Sequence, residues 1–228
     1  RKKPSSDPIP IPPSPDKFTK GGRRQRRPAH LQDYIVQRGG LDVPTLPTRP
    51  FTVIVEGNIG TGKSTFLKYF DQEKQVFTVP EPVKLWQDIR GHNLLEHIYT
   101  DPSRWAMTFQ SYVQLTMSRA HQQISECPVK LMERSIWSAR YCFVENLFRG
   151  NHLEGVELAV LNEWFEHLLG SHTLDADLIV YLRASPEICL QRIQKRARTE
   201  EEGVPLALLK ALHDLHEDWL VHQSKYPL

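Results

Sequence analysis

The apolar positions change period several times along the chain, and each change predicts a new element. Residues 51–55, Phe-Thr-Val-Ile-Val, form a β-rich run; a glycine-rich turn and a helix-compatible segment follow, giving FTVIVEGNIGTGKSTFLKYF over 51–70. A second strand-like run, QVFTVPEP, is stopped by two prolines that flank Glu81. In RWAMTFQSYVQLTMSRAH, 104–121, Trp105, Phe109, Val113 and Met117 recur at i, i+4, which predicts an amphipathic helix. VKLMERS, 129–135, predicts a buried strand ending in charges, and a long helical region is expected from Ala139 to about Leu169. DLIVYLRAS, 177–185, is the most strand-like stretch of the C-terminal half, and Pro186 suits the first turn of the helix after it. Strand alternating with helix predicts an α/β fold, a parallel sheet with helices on both faces.

The chemistry enters at the first turn, which reads G-x-x-x-x-G-K-S from Gly57 to Ser64 between strand and helix. That is the P-loop pattern in its required context. Glycines at Gly57, Gly60 and Gly62 let the backbone N–H groups of Asn58, Ile59, Thr61 and Thr65 and their neighbours curl round phosphate oxygens. Lys63 reaches the β/γ-phosphates, and the Ser64 hydroxyl is a Mg²⁺ ligand. The loop implies ATP or GTP without naming what receives the phosphate. Ligands of parallel sheets gather at the carboxyl ends of the strands. The run at Phe51 ends in the P-loop, the one at Val76 at Glu81, and the one at Val129 at Glu133 and Arg134. These charged outputs are expected to converge on one crevice.

Composition divides the chain in two. Residues 1–50 hold 11 Lys/Arg against 4 Asp/Glu, about +7, and the rest 18 against 23, about −5, so the modest net charge of +2 hides an asymmetry. Ten of the 17 prolines also fall in residues 1–50, which therefore read as a disordered basic, Pro-rich tail before a catalytic domain at 51–228. The basic clusters RKK and RRQRR are compatible with a nuclear-import address, a weak nucleic-acid patch, the remnant of a basic transit segment, or a solvated charge run. Cys127, Cys142 and Cys189 lack C-x-x-C spacing, which predicts packing residues in a reducing compartment and no structural zinc. No apolar run approaches a membrane span, so a soluble intracellular protein is expected, with the nucleus or cytosol and the mitochondrion left open. The chain opens on Arg1, which agrees with a processed or trimmed start.

Six motifs, EGNIGTGKST, EPVKLW, FQSYVQLTM, MERSIWSARYCFVEN, DLIVYLRASPE and QRIQKRARTEE, resemble in order and spacing those of the deoxyribonucleoside kinase family over about residues 51–223, most of all its broad-specificity insect branch and its mitochondrial thymidine-phosphorylating branch. The resemblance implies a three-layer P-loop kinase fold and transfer of the γ-phosphoryl of ATP to the 5′-hydroxyl of a deoxynucleoside. It assigns Glu81 as the base that accepts the hydroxyl proton, Glu133 as the Mg²⁺-associated acid beside Ser64, and Arg134 as the bridge between base and 5′-oxygen. Arg192, Lys195 and Arg196 share one helical face at i, i+3, i+4, and Arg198 lies off it unless the helix breaks. The family uses this stretch as a lid in which Arg192, Arg196 and Arg198 hold ATP phosphates; one lid position that is arginine in the insect branch is Gln194 here. For the acceptor, Trp86, Phe109 and Phe143 resemble the aromatics against the nucleobase, and Ile98, Val113, Met117 and Ala139 its apolar walls. Tyr99 and Glu201 map to the pair that holds the 3′-hydroxyl. Gln110, about 100° round from the apolar stripe, offers donor and acceptor together and can suit thymine or cytosine. Members are usually homodimers, and they continue past the HEDWL helix, whereas this chain stops at Leu228.

Two other readings fit parts of the pattern. One is a nucleotide-dependent binding switch whose basic tail docks on nucleic acid; the other is a nucleoside monophosphate kinase on the same scaffold.

Overall fold

The computed structural model describes residues 49–170, 174 and 176–222. The proposed basic tail lies almost wholly outside the described residues. Its last two members, Arg49 and Pro50, are inside them, and Arg49 makes a two-pronged ion pair with Asp177 at 2.6 and 2.8 Å. Asp177 also accepts from the Thr52 amide at 2.8 Å, so this one carboxylate pins the entry of the first strand.

Four parallel strands, β1 (Phe51–Glu56), β2 (Val76–Val79), β3 (Val129–Glu133) and β4 (Leu178–Tyr181), form a sheet in the order β2-β3-β1-β4. β1 and β3 are central, and both are apolar on the two faces they bury, as a covered parallel sheet requires. On one face Val55 and Leu131 pack on Leu67 of α1 (Lys63–Tyr69). On the other, Ile54, Met132 and Val79 pack on Ala120 of α4 (Pro102–His121). These two clusters make the three layers that the alternating pattern predicts.

Between β2 and α4 lie two short helices, α2 (Val83–Gln87) and α3 (Leu94–Thr100). The Asn93 side chain caps α3 and the Asp101 side chain caps α4, each accepting an amide of the first turn. Phe109, Val113 and Met117 are buried at the spacing that predicted the helix, against Trp86, Leu95, Ile98 and Ile136.

The long helix expected from Ala139 to Leu169 is not continuous. α5 (Ile136–Ser138) runs into a π-helical stretch, Ala139–Val144, and then α6 (Glu145–Arg149). The chain turns at Gly150 and Asn151, the latter left-handed at φ 56°, before α7 (Gly155–Leu169) restarts on a capping box between Glu154 and Glu157. Helical periodicity persists through such a break, because the apolar face is shared by both halves; the Gly-Asn pair is what ends the first.

After β4, α8 (Pro186–Arg196) begins with Ser185 as cap and Pro186 in its first turn. A 3-10 turn (Thr199–Glu201), α9 (Leu206–His216) and a π-helical turn (Glu217–Val221) complete the described chain. Cys142 and Cys189 are buried and Cys127 half-buried, all as free thiols. Among the described residues no helix is long and apolar enough to cross a membrane.

Leu161 is fully buried in α7, and its carbonyl accepts from the Gln114 amide of α4 at 3.0 Å. Leu161→Ala is expected to lower unfolding free energy by about 2–5 kcal/mol in urea titration, since the cavity sits where two long helices hold each other and has little room to collapse.

Candidate active site

The P-loop leaves β1 in backbone conformations that side chains oppose. Gly57 has φ 145° and Gly60 φ 81°; a Cβ would lie 2.5 Å from the Leu182 carbonyl oxygen at the first and 2.6 Å from the Cys189 carbonyl oxygen at the second. Lys63, buried at the start of α1, donates to the carbonyls of Gly57 at 3.0 Å and Asn58 at 2.8 Å. Burial first, then the nearby Arg134 charge, pulls its ammonium pKa down to about 8. Asn58 is a scaffold within the loop: its amide donates to Leu209 O at 2.7 Å and its Oδ1 accepts from Ile59 N.

In front of the loop opens a cavity of about 1950 Å³. That exceeds the range of about 300–1,000 Å³ usual for one small ligand, so donor and acceptor can share it. Ile59, Gly60, Thr61, Gly62, Lys63, Ser64 and Thr65 line its phosphate end, with Arg192, Arg196 and Arg198 across from them. Trp86, Ile98, Tyr99, Phe109, Gln110, Val113, Met117, Ala139 and Phe143 line the other end; Glu81, Glu133, Arg134 and Glu201 lie on the same wall system. Of the residues singled out from sequence, Gly57 and Asn58 alone stay out of the lining, and both act behind it.

The charged outputs of the strands converge as the carboxyl-end rule predicts. Arg134 follows β3 in a left-handed conformation, φ 64°, and its amide donates to Val55 O at 2.9 Å. This turn swings the side chain across the end of β1. Its Nε lies 2.8 Å from Glu81 Oε1, its guanidinium stacks 4.7 Å from the Phe143 ring centre, and Nη1 has no hydrogen-bond partner. Burial opposes its charge, but Glu81, Glu56 and Glu133 together hold it protonated. Ser64 Oγ donates to Glu133 Oε1 at 2.8 Å, placing two hard oxygens side by side beside the phosphate loop, a donor set that fits Mg²⁺. Among the described residues no group of three or more His, Cys, Asp or Glu forms a metal cage, which also suits an ion that keeps its waters and phosphate ligands.

At the acceptor end, Gln110 is 2% exposed and its Oε1 has no hydrogen-bond partner. Trp86 Nε1 is held by Thr116 Oγ1 at 2.9 Å, and its ring meets Phe109 edge-on. Burial, then the Glu201 and Glu81 charges, drives the Tyr99 phenol far above its ordinary pKa, so the hydroxyl stays a donor.

The lid follows from the end of α8. Ala197 is left-handed at φ 52°, which breaks the helix and brings Arg198 back to the side of Arg196. Both guanidinium groups pair with the buried carboxylate of Glu201, Arg198 at 2.6 Å, while Arg192 donates to Thr61 O of the P-loop at 2.8 Å.

One group was missed in the sequence. Glu56, at the end of β1, is wholly buried; its Oε1 accepts from Ser135 Oγ at 2.5 Å and its Oε2 has no hydrogen-bond partner. The available signal was a carboxylate closing an otherwise apolar strand directly before the loop. Burial raises its pKa to about 7, against the opposing pull of Arg134. The raised pKa means that its contribution to stability is fully present below about pH 4.5 and is lost as pH rises through 7. Glu56→Gln is therefore expected to gain stability relative to the parent protein as pH climbs from 4.5 to 8, by a few kcal/mol at most, in denaturant melts of the two proteins compared at each pH. A difference that does not vary with pH would contradict this.

Comparison with known proteins now bears on these features. The family model for deoxynucleoside kinases matches residues 53–228. Human "Thymidine kinase 2, mitochondrial" is 49% identical over 176 residues, which are 77% of this chain and 66% of the human protein. The protein of the same name from Macaca fascicularis is 46% identical over 195 residues, 85% of this chain and 74% of the relative. Mouse deoxycytidine kinase is 37% identical over 202 residues, 78% of each chain. The chain thus spans about two thirds to four fifths of the relatives it matches, and the match covers the strands, the P-loop and the lid described above: the chain belongs to the deoxynucleoside kinase family.

Proposed function

We propose that this chain phosphorylates deoxyribonucleosides, moving the γ-phosphoryl of ATP to the 5′-hydroxyl and releasing ADP and a deoxynucleoside monophosphate for DNA precursor synthesis. The observation that carries the reading is the Glu81–Arg134 pair, set between a phosphate loop and an apolar pocket in one cavity. Glu81 accepts the 5′-hydroxyl proton as the oxygen attacks phosphorus; the bond to the β,γ-bridging oxygen breaks and ADP leaves with that electron pair. Arg134 keeps Glu81 ionised and turned toward the hydroxyl. Lys63, Arg192, Arg196 and Arg198 receive the charge on the transferring group. Ser64 and Glu133 would hold Mg²⁺, which neutralises phosphate charge.

Gln110 reads the pyrimidine edge, between Trp86, Phe109 and Phe143, with Ile98, Val113, Met117 and Ala139 as walls. Tyr99 and Glu201 take the 3′-hydroxyl, and the aromatic ring beneath C2′ excludes a ribose hydroxyl. Thymidine and deoxycytidine are the leading acceptors, and purine deoxynucleosides follow. The chain works as a homodimer: Val156, Val160 and Trp164 leave an exposed apolar stripe on α7, beside Leu115 of α4. It works inside the cell, and the mitochondrial name of the human and macaque relatives supports that compartment over the nucleus or cytosol. Membership among kinases does not favour the binding-switch reading of the basic tail.

Labelled γ-phosphate from Mg²⁺-ATP is expected to reach thymidine and deoxycytidine and not uridine or thymidine monophosphate; labelling of the monophosphate would move the chain to another kinase class. Glu81→Gln is expected to lower kcat by about 10²–10⁴-fold with ATP binding and melting temperature unchanged. Retained turnover would remove Glu81 from the role of base.

A further inference from the structure

The 3-10 turn of the lid carries two carboxylates with different partners. Glu201 takes the guanidinium groups of Arg196 and Arg198. Glu200 reaches the acceptor wall: its Oε1 accepts from Gln87 Nε2 at 2.9 Å and from Asn93 Nδ2 at 3.0 Å. Gln87 is the last residue of α2, next to Trp86, and Asn93 is the N-cap of α3, which carries Ile98 and Tyr99. One oxygen thus fastens the lid to both helices that frame the acceptor. At its other end the lid is fastened to the phosphate loop through Arg192 and Thr61.

We propose that Glu200 is a positioning residue that couples the two halves of the cavity, so that ATP and the deoxynucleoside each bind more tightly when the other is present. The inference rests on the kinase reading above. Phosphates that order Arg192, Arg196 and Arg198 also fix the 3-10 turn, and through Glu200 they fix the spacing of α2 and α3. An acceptor seated against Trp86 and Tyr99 acts on the same link in reverse, as binding linkage requires. Partial burial pushes the Glu200 carboxyl up, yet donation from Asn93 and Gln87 and the Arg198 charge outweigh this and leave it below the ordinary range, so the acceptor oxygen is anionic at neutral pH. Asn93 serves two masters, since its Oδ1 caps α3 through Glu96 N while its amide holds Glu200. That division allows the link to be broken without uncapping the helix.

The test uses the full chain and titrates a non-hydrolysable ATP analogue with Mg²⁺ in a calorimeter, with and without saturating thymidine. The ratio of the two dissociation constants is expected to be about 5–50-fold in the parent protein. Asn93→Asp keeps the helix cap but sets a carboxylate against Glu200; the ratio is expected to fall to about 2 or less while the analogue alone binds within about twofold of the parent. Glu200→Gln added to Asn93→Asp lets the introduced amide donate to the introduced carboxylate, and the ratio is expected to return to within about twofold of the parent, a rescue that loss of stability alone cannot give. A ratio near unity in a parent protein that phosphorylates thymidine, or an undiminished ratio in Asn93→Asp, overturns the coupling role. A parent protein that phosphorylates no deoxynucleoside overturns the kinase reading itself, and the coupling inference with it.

Discussion

A guanidinium buried to 5% exposure at the end of a sheet is unstable unless carboxylates surround it, and the centre of this structure is organised round that demand. Arg134 is compensated by Glu81 from the end of β2, Glu133 from its own strand and Glu56 from β1. Each carboxylate has a further tie: Glu133 to Ser64 of α1, Glu56 to Ser135, Glu81 to the proline-flanked turn that presents it. Because β1, β2 and β3 are parallel and adjacent, their carboxyl ends deliver these groups to one place. The fold therefore spends its central register on assembling a charge cluster next to a phosphate loop.

The lid repeats the logic with softer partners. Its arginines are satisfied by Glu201 and by a P-loop carbonyl, at the surface of the cavity and within reach of any phosphate that enters. Such pairs are exchangeable: a phosphate oxygen replaces a carboxylate oxygen at little desolvation cost, since the site is already polar and partly hydrated. Arg134, by contrast, sits too deep to exchange its partners. The cavity so has a fixed charge centre at the acceptor side of the transfer and a labile one at the donor side.

Much of this was legible in the chain. The P-loop, the i, i+4 stripe of α4 and the strand runs at 51, 76, 129 and 177 each carry a local signal, and the carboxyl-end rule was enough to bring Glu81, Glu133 and Arg134 together. What was not legible depends on contacts distant in sequence. Asn58, inside the motif, turns its side chain to Leu209 and not to the cavity, which no local pattern encodes. Glu200 meets Gln87 and Asn93 across more than a hundred residues. The break at Gly150 escaped because both helices keep one apolar face, and the π-helical stretch before it because a single extra residue per turn is invisible to a periodicity count over so short a span.

That π-helical stretch has a consequence for how this chain can vary. Ala139 and Phe143 reach the cavity from Ala139–Val144, where the backbone holds one residue more than an α-helix would. Deleting any one of the six residues would relax the stretch to ordinary winding and rotate everything after it by about 100° relative to what precedes it. Phe143 would leave the Arg134 face, and Leu147 and α6 would turn out of the core. Length changes here are thus a different kind of event from those in the surface turn at 122–128, and insertions and deletions among descendants of this sequence should accumulate in the turn and be purged from the winding.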